Sequence, residues 1–346
     1  MERLELIEKL TKASGISGYE SPIREIMIEE LGKLTDYETD KMGSIHFLFK
    51  GKENAPKILC LAHQDEVGFI VADILHDGFL KMQAIGGWDV NTLLSSPLEV
   101  INKKGEKFPG IIGSIPVHFL KDTQQKLNIE SLFVDIGAID REDVMKNFGI
   151  QLGDQIVPVT NYHYSSKNKR IFSKAFDDRI GITSVIELGK RLANREMNNS
   201  VYCSGSVQEE VGTRGARVIA NYIQADLAII LEGAPADDIP GLPGNSQTAV
   251  GKGVHIRLFD PTMIVKSSLK NFIVETAEKN SIPYQLTVRR RGGTDGMQIH
   301  TANYGIPTIV MGVPVRYAHS HNGMISLDDF DNLVNLLEQV VLNYKA

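Results

Sequence analysis

The chain has 346 residues, of which 42% are hydrophobic and 23% charged, an ordinary globular composition that suits two domains or one domain carrying an insertion. A formal net charge of -6, with no run of Lys or Arg longer than Arg289-Arg290-Arg291, argues against a nucleic-acid or membrane surface and leaves a small molecule or peptide as the expected partner. The opening Met1-Glu2-Arg3-Leu4-Glu5-Leu6 lacks the apolar core of a signal peptide and no stretch reaches the apolar length of a membrane span, so a cytoplasmic protein is expected.

The helical spacing of Leu4, Ile7 and Leu10 predicts a first helix. Ser21-Pro22 ahead of Ile23, Ile26, Met27 and Leu31 predicts a second, with Ser21 as cap and Pro22 in the first turn. Strands follow over 44–49 and 57–62, the latter a continuous apolar run of the kind buried on both faces of a sheet. It ends in His63-Gln64-Asp65-Glu66-Val67-Gly68. Then the texture changes. Short β-type runs at 69–74, 98–102, 110–114, 132–137 and 154–159 alternate with turn residues, with one short helix near 141–148. This predicts a small, β-rich, barrel-like domain over residues 69–164, inserted into a catalytic domain formed by 1–68 and 165–346. After Arg170 helices and strands alternate: helix 179–192, strand to Val207, helix 214–222, strand 227–231, strand 250–256, helix 264–279, strand 284–288, a short helix after Thr294, strand 308–312 and a closing helix from Leu327. That alternation is the mark of an α/β sheet covered by helices. Cys60 and Cys203 each lie in an apolar strand-like run and are read as buried, reduced thiols.

Five places along this pattern carry chemistry. Glu209 and Glu210 follow the strand-like run 201–207 as adjacent carboxylates. Neighbouring side chains on an extended backbone point to opposite faces, so one could hold a metal while the other handles a proton. The other four are His63 with Asp65, Asp177 with Asp178, Glu232 after 227–231, and His319 in Arg316-Tyr317-Ala318-His319-Ser320-His321, where His321 competes for the same role. In an open α/β sheet ligands bind outside the carboxyl ends of the strands, so these positions converge on one crevice. Two imidazoles and three carboxylates suit Zn²⁺ or a similar divalent ion, and a pair of ions if one carboxylate bridges. Asp65 is placed to accept the second N–H of a ligand His63 and fix its tautomer. His76, His118, His163, His255 and His300 have no acidic partner of this kind and read as surface or core residues.

These motifs resemble those of the M42 metallo-aminopeptidases. The resemblance rests on Ala62-His63-Gln64-Asp65-Glu66-Val67-Gly68, Phe176-Asp177-Asp178-Arg179-Ile180-Gly181, Gln208-Glu209-Glu210-Val211-Gly212-Thr213-Arg214-Gly215-Ala216, Leu231-Glu232-Gly233, Gly292-Gly293-Thr294-Asp295 and Arg316-Tyr317-Ala318-His319-Ser320, in the same order along the whole chain. It implies a zinc-exopeptidase-like fold and two divalent ions per subunit, zinc or cobalt. Asp177 would bridge them, with Glu210 and His319 completing one site, His63 and Glu232 the other, and Glu209 acting as general base. It further implies short peptide substrates and a hollow tetrahedral dodecamer built from dimers, its active sites facing inward and its inserted domain aiding assembly. Two positions depart from the family pattern: some members carry Asp at Glu232, and many carry Glu where this chain has Gly323. Three weaker motifs remain. Gly292-Gly293-Thr294-Asp295-Gly296 lacks the ending of a phosphate-binding P-loop and reads as a wall of the substrate pocket. Gly86-Gly87-Trp88 reads as a turn with an aromatic anchor. Arg289-Arg290-Arg291 is either a solvated strand end or faces an acidic substrate terminus. Rival readings keep the metals but act on an acylated amine or a β-glucan, or remove catalysis and leave a peptide-binding shell protein. The single Trp speaks against a glucan, and the presence of Glu209 beside all five ligands speaks against a silent shell.

Overall fold

The computed structural model describes residues 3–119, 127–242 and 245–345; Met1 and Glu2, read above as part of the N-terminus, lie outside them. Helices α1 (Arg3–Lys12) and α2 (Ser21–Leu31) lead into strands β1 (Tyr37–Thr39), β2 (Ile45–Phe49) and β3 (Lys57–His63). Then come β4 (Gly68–Ile74), β5 (Leu80–Ile85), β6 (Pro97–Ile101), β7 (Lys107–Gly113), β8 (Phe133–Asp135), the short helix α3 (Arg141–Lys146) and β9 (Gln155–Pro158). The chain continues through β10 (His163–Ser165), β11 (Arg170–Ser173), α4 (Phe176–Leu192), β12 (Ser200–Ser206), α5 (Arg214–Tyr222), β13 (Leu227–Pro235), β14 (Val254–Asp260) and β15 (Met263–Ile264). It closes with α6 (Ser267–Lys279), β16 (Tyr284–Val288), α7 (Gly296–Ile299), β17 (Thr308–Val315), β18 (Gly323–Ser326) and α8 (Leu327–Asn343).

A nine-stranded mixed sheet runs in the order β1-β2-β12-β3-β13-β17-β14-β15, with β16 paired to β14. Its centre, β12-β3-β13-β17, is parallel, and β2 and β14 flank it antiparallel. The alternation of side chains along each strand sorts residues to two faces. Ile58 and Cys60 of β3 join Ile229 and Leu231 of β13 in one core, under Ile7 of α1, Ile182 of α4 and Leu333 of α8. Leu59, Leu61, Ala228 and Ile230 point the other way, against Ile219 of α5 and Ile299 of α7. Apolar layers on both faces explain why the central strands read as unbroken hydrophobic runs. Cys60 and Cys203 are register partners on adjacent strands, both buried and both free.

Strands β4 to β9 close into a separate barrel in the order β4-β5-β8-β7-β6-β9, filled by Phe69, Val71, Leu80, Leu98, Val134 and Ile156 among others. The fold is therefore the expected mixed α/β sheet with a β-barrel entering between β3 and β10. Local differences have local causes. Strand β5 was not anticipated: Leu80 and Met82 face inward, but their neighbours Lys81 and Gln83 dilute the β-type composition. The three-stranded sheet β10-β11-β18 is built of pieces of three or four residues, too short for a periodic signal. Strand β14 begins at Val254, since Gly251 and Gly253 hold a left-handed turn before it. Ser21 is the first helical residue, not the cap. Glu20 occupies the cap position of α2, where its carboxylate makes no capping bond and serves contacts outside the helix.

Candidate metal centre

The parallel core strands point their carboxyl ends at one rim, and the charged residues gather there. His63 is the last residue of β3. Strand β12 stops at Ser206, so Glu209 and Glu210 lie in the loop beyond it and not on the strand itself. Glu232 is inside β13, which runs on to Pro235, where the sequence suggested a strand tip. His319 follows β17 in a turn. Asp177 stands at the head of α4 with non-helical dihedrals, and the Asp177–Asp178 peptide bond is cis.

Asp177 is the hub. Its Oδ1 lies 3.1 Å from His63 Nε2 and its Oδ2 lies 3.2 Å from His319 Nε2. His319 Nε2 is also 3.7 Å from Glu210 Oε1. Two trios result, His63–Asp177–Glu232 and Asp177–Glu210–His319, each with ligand atoms within 4.8 Å of one another. They share Asp177. His321, the competing imidazole, points elsewhere: it is buried and packs at 5.6 Å from the Trp88 ring.

The arrangement suits cations on its own terms. Glu210 Oε1 and Glu232 Oε1, one in each trio, are buried with no hydrogen-bond partner among the described residues, a costly state for an acceptor without a cation. Burial raises Glu210 to about 7, with the His319 imidazole opposing and Asp177 adding to the rise. Glu232 is held well above the carboxylate range by burial and then by Asp178 and Asp177. Glu209 is raised well above it too, by burial, with His63 opposing and Asp295 and Glu232 adding. Burial also pushes Asp177 up, but hydrogen bonds from His319 and His63 outweigh it and hold this group below its ordinary value. The imidazoles mirror this. Burial favours the neutral rings, yet hydrogen bonding to Asp177 lifts His319 to about 10 and His63 well above its ordinary value. The buried Glu232 and the partly buried Asp177, Glu209 and Glu210, set around two imidazoles, are short of positive charge, which divalent cations would supply.

Asp65 behaves differently from expectation in one respect. His63 Nδ1 donates to the Asp65 backbone carbonyl at 3.1 Å, while the nearer carboxylate oxygen is 3.5 Å away. The Asp65 carboxylate also accepts the main-chain N–H of Glu209 at 3.0 Å and of Glu210 at 3.1 Å. Asp178 is a structural partner of the centre: its Oδ2 accepts the His63 N–H at 3.2 Å and its Oδ1 that of Gly181 at 3.0 Å.

A cavity of about 700 Å³ adjoins these groups, lined among others by Asp177, Glu209, Glu210 and Glu232, by Gly292 and Gly293, and by the guanidinium-bearing residues Arg257, Arg289, Arg290 and Arg291. Arg289 is tied to Asp237 at 3.3 Å and to the Pro235 carbonyl at 2.7 Å, and Arg257 to Asp260 at 3.2 Å. Arg290 and Arg291 are exposed, and neither forms an ion pair among the described residues. Two residues named in the sequence only as parts of motifs make contacts that the sequence did not reveal. The Gly87 carbonyl, from the loop after β5, accepts from His319 Nδ1 at 2.8 Å and so presents Nε2 to Asp177. Gly86 lets that loop pass: at φ +75° a Cβ there would meet Glu210 Oε2 at 2.9 Å. Asp295 is the other: it is buried, hydrogen-bonds Ser206 Oγ, and is raised to about 6 by burial with Ser206 opposing. Gly323 lies in β18, where a Cβ would sit 2.9 Å from Phe176 Cδ2, so a larger side chain would have to displace that ring.

Fold and site together define an α/β protein with a candidate metal centre at the carboxyl ends of its parallel strands. A family model described as M42 glutamyl aminopeptidase matches residues 43–336, and the chain belongs to that family. Its relatives include the glutamyl aminopeptidase of Lactococcus lactis subsp. cremoris, 34% identical over 99% of this chain and 96% of that one. Another is the lysyl aminopeptidase of Pyrococcus furiosus, 32% identical over 99% and 97%. Among solved structures, the TET aminopeptidase of the marine sediment archaeon Thaumarchaeota archaeon SCGC AB-539-E09 superposes with a TM-score of 0.96 at 36% identity, covering 99% of this chain and 97% of the other. The TET1 peptidase of Pyrococcus horikoshii, described as assembling into a tetrahedron or a large octahedral shell, has a TM-score of 0.88 at 30% identity over 99% and 100%.

Proposed function

We propose that the protein is a co-catalytic two-metal aminopeptidase that removes N-terminal residues from short peptides. The observation that carries this is the pair of trios sharing Asp177 beside a cavity that also exposes Glu209. His63 and Glu232 would hold one divalent ion, Glu210 and His319 the other, with Asp177 common to both and zinc or cobalt the expected metals. When bound, such ions polarise a carbonyl and lower the pKa of water. Glu209 belongs to neither trio, and its raised proton affinity suits a general base that takes a proton from attacking water and returns it to the leaving amine. Asp65, through the Glu209 and Glu210 main chain, keeps that loop in place.

The names of the two relatives described above, glutamyl and lysyl, call for opposite charges in a specificity pocket. In this chain Arg290 and Arg291 favour the acidic choice. A panel of aminoacyl amides assayed with zinc or cobalt tests both levels of the reading. Glu- and Asp-amides should be cleaved about 10- to 100-fold more efficiently than Lys-amides, the worth of a charged hydrogen bond, and Arg290→Glu with Arg291→Glu should reverse that order. No cleavage of any amide by the metal-replete protein would contradict the aminopeptidase assignment.

Residues 69–164, with the barrel at their centre, are proposed as an inserted unit that supports self-assembly, and the whole chain as a homo-oligomer, in its expected form a tetrahedral dodecamer built from dimers. The likeness to the Pyrococcus horikoshii peptidase supports this. Light scattering on the metal-replete protein should give a mass near that of about twelve subunits, and a monomer at micromolar concentration would contradict it.

A further inference from the structure

The loop between α1 and α2, residues 13–20, contributes no side chain to either trio, yet it touches both ligand-bearing loops. Gly15 O accepts the Glu66 N–H at 3.0 Å. Ser17 Oγ donates to Asp65 Oδ2 at 2.6 Å, and the same carboxylate takes the N–H groups of Glu209 and Glu210. Glu20 Oε1 accepts the Gln208 N–H at 3.1 Å and the Gly18 N–H at 2.8 Å. Three consecutive N–H groups, 208 to 210, therefore end on two buried carboxylates, one belonging to this loop and one oriented by it. Glu20 is 4% exposed and Asp65 not exposed at all.

The segment they hold would not adopt its shape unaided. Gln208 has φ +56°, a left-handed conformation strained for any residue but glycine, and the next turn closes with the Gly212 and Thr213 N–H groups on the Glu209 carbonyl at 2.9 and 2.8 Å. Removing an acceptor leaves a part-buried N–H without its partner and lets this backbone relax. The side chains that move with it are Glu209 and Glu210, which must aim at different targets. The loop is itself wedged in place. Tyr19 Oη donates to the Gly153 carbonyl at 2.6 Å, and Ile16 packs with Ile101 and Val157 of the barrel region.

We propose that Ser17 and Glu20 are positioning residues of the catalytic centre: they set the backbone of Gln208, Glu209 and Glu210 from a loop almost two hundred residues away, and so fix the aim of the base. This rests on the reading of Glu209 as that base. The test compares wild type with Ser17→Ala, which removes the donor, Ser17→Thr, which keeps a hydroxyl, and Glu20→Gln, which keeps the shape but weakens the acceptor. Steady-state kinetics on a cleavable amide are measured beside bound metal and thermal midpoint. Ser17→Ala should lower kcat about 10- to 100-fold with KM nearly unchanged and metal content at the wild-type level, since a misplaced base loses transition-state stabilisation more than ground-state binding. Ser17→Thr should recover most of the loss, and Glu20→Gln should fall between. If Ser17→Ala does not fold, the kcat of Glu20→Gln against wild type decides. Wild-type kcat in the variants, a loss that tracks metal content, or no rescue by Ser17→Thr would overturn the proposal. An inactive wild type contradicts the aminopeptidase reading and this one together; an active wild type with unaltered variants contradicts only the positioning role.

Discussion

The open sheet and the closed barrel each bury a hydrophobic core, yet among the described residues only the sheet brings acids and imidazoles together. Its four central strands are parallel, so their carboxyl ends and the loops after them meet at one rim, and His63, Glu209, Glu210, Glu232 and His319 reach it from four different strands. In the antiparallel barrel neighbouring strands end at opposite rims, and nothing comparable accumulates there among the described residues. What the barrel region gives the centre is main chain: the Gly87 carbonyl on His319, and the absence of a side chain at Gly86 beside Glu210. Parallel strands collect reactive side chains, and the barrel supplies a rigid backbone that aims one of them.

The largest effect expected on the sheet side is that of Glu209→Gln, which keeps the shape of the residue but removes the proton acceptor. Turnover should drop about 10²–10⁴-fold with bound metal retained, as loss of a general base does; unchanged kcat in a metal-replete variant would remove Glu209 from that role. Acid separates the two regions by a different route. His46 of β2 is buried, and burial lowers its imidazole to about 4 from an ordinary 6.5. The unfolded chain gains this proton as the pH falls below 6.5 while the folded chain does not until about 4, so stability present above 6.5 is lost across that window. The loss is up to about 3 kcal/mol, and His46→Gln should flatten that part of a stability profile measured from pH 7 to 4.5. Parallel profiles for wild type and variant would rule the imidazole out. Smallest, and on the barrel side, Gly86→Ala should weaken metal binding about 10-fold, the lower end of effects on groups that orient a ligand, although it changes no ligand itself. Wild-type metal affinity in that variant would mean that the barrel loop is a bystander.

Much of this was legible in the sequence for simple reasons. The buried central strands show as unbroken apolar runs and α4, α5 and α8 as periodic ones, so the sheet and its helices could be placed. Metal-type ligands at the ends of those runs marked the rim, because a charge straight after a buried strand needs a partner. What stayed hidden was backbone. Ala175, Gln208, Thr213, Tyr317 and His319 all take left-handed conformations at the centre, and none is a glycine that would have announced it. Asp65 is legible from its spacing as a partner of His63, and its carboxylate lies 3.5 Å from Nδ1; hidden was that the same carboxylate also takes N–H groups 144 and 145 positions away, a contact only the tertiary fold creates. Gly87 showed as a turn, and a carbonyl has no sequence signal of its own. Glu20 was passed over for Ser21 as helix cap, since nothing local revealed that its carboxylate was needed by Gln208.

The central claim is that Asp177 joins two metal sites into one centre, and metal titration of the purified, chelator-treated protein tests it most directly. Wild type should saturate at about two zinc or cobalt ions per subunit, and Asp177→Asn should lose affinity at both positions together, whereas His63→Ala and His319→Ala should each weaken mainly one. A wild-type protein that saturates at a single ion under excess metal, or an Asp177→Asn variant that keeps one site at full affinity, would contradict the account.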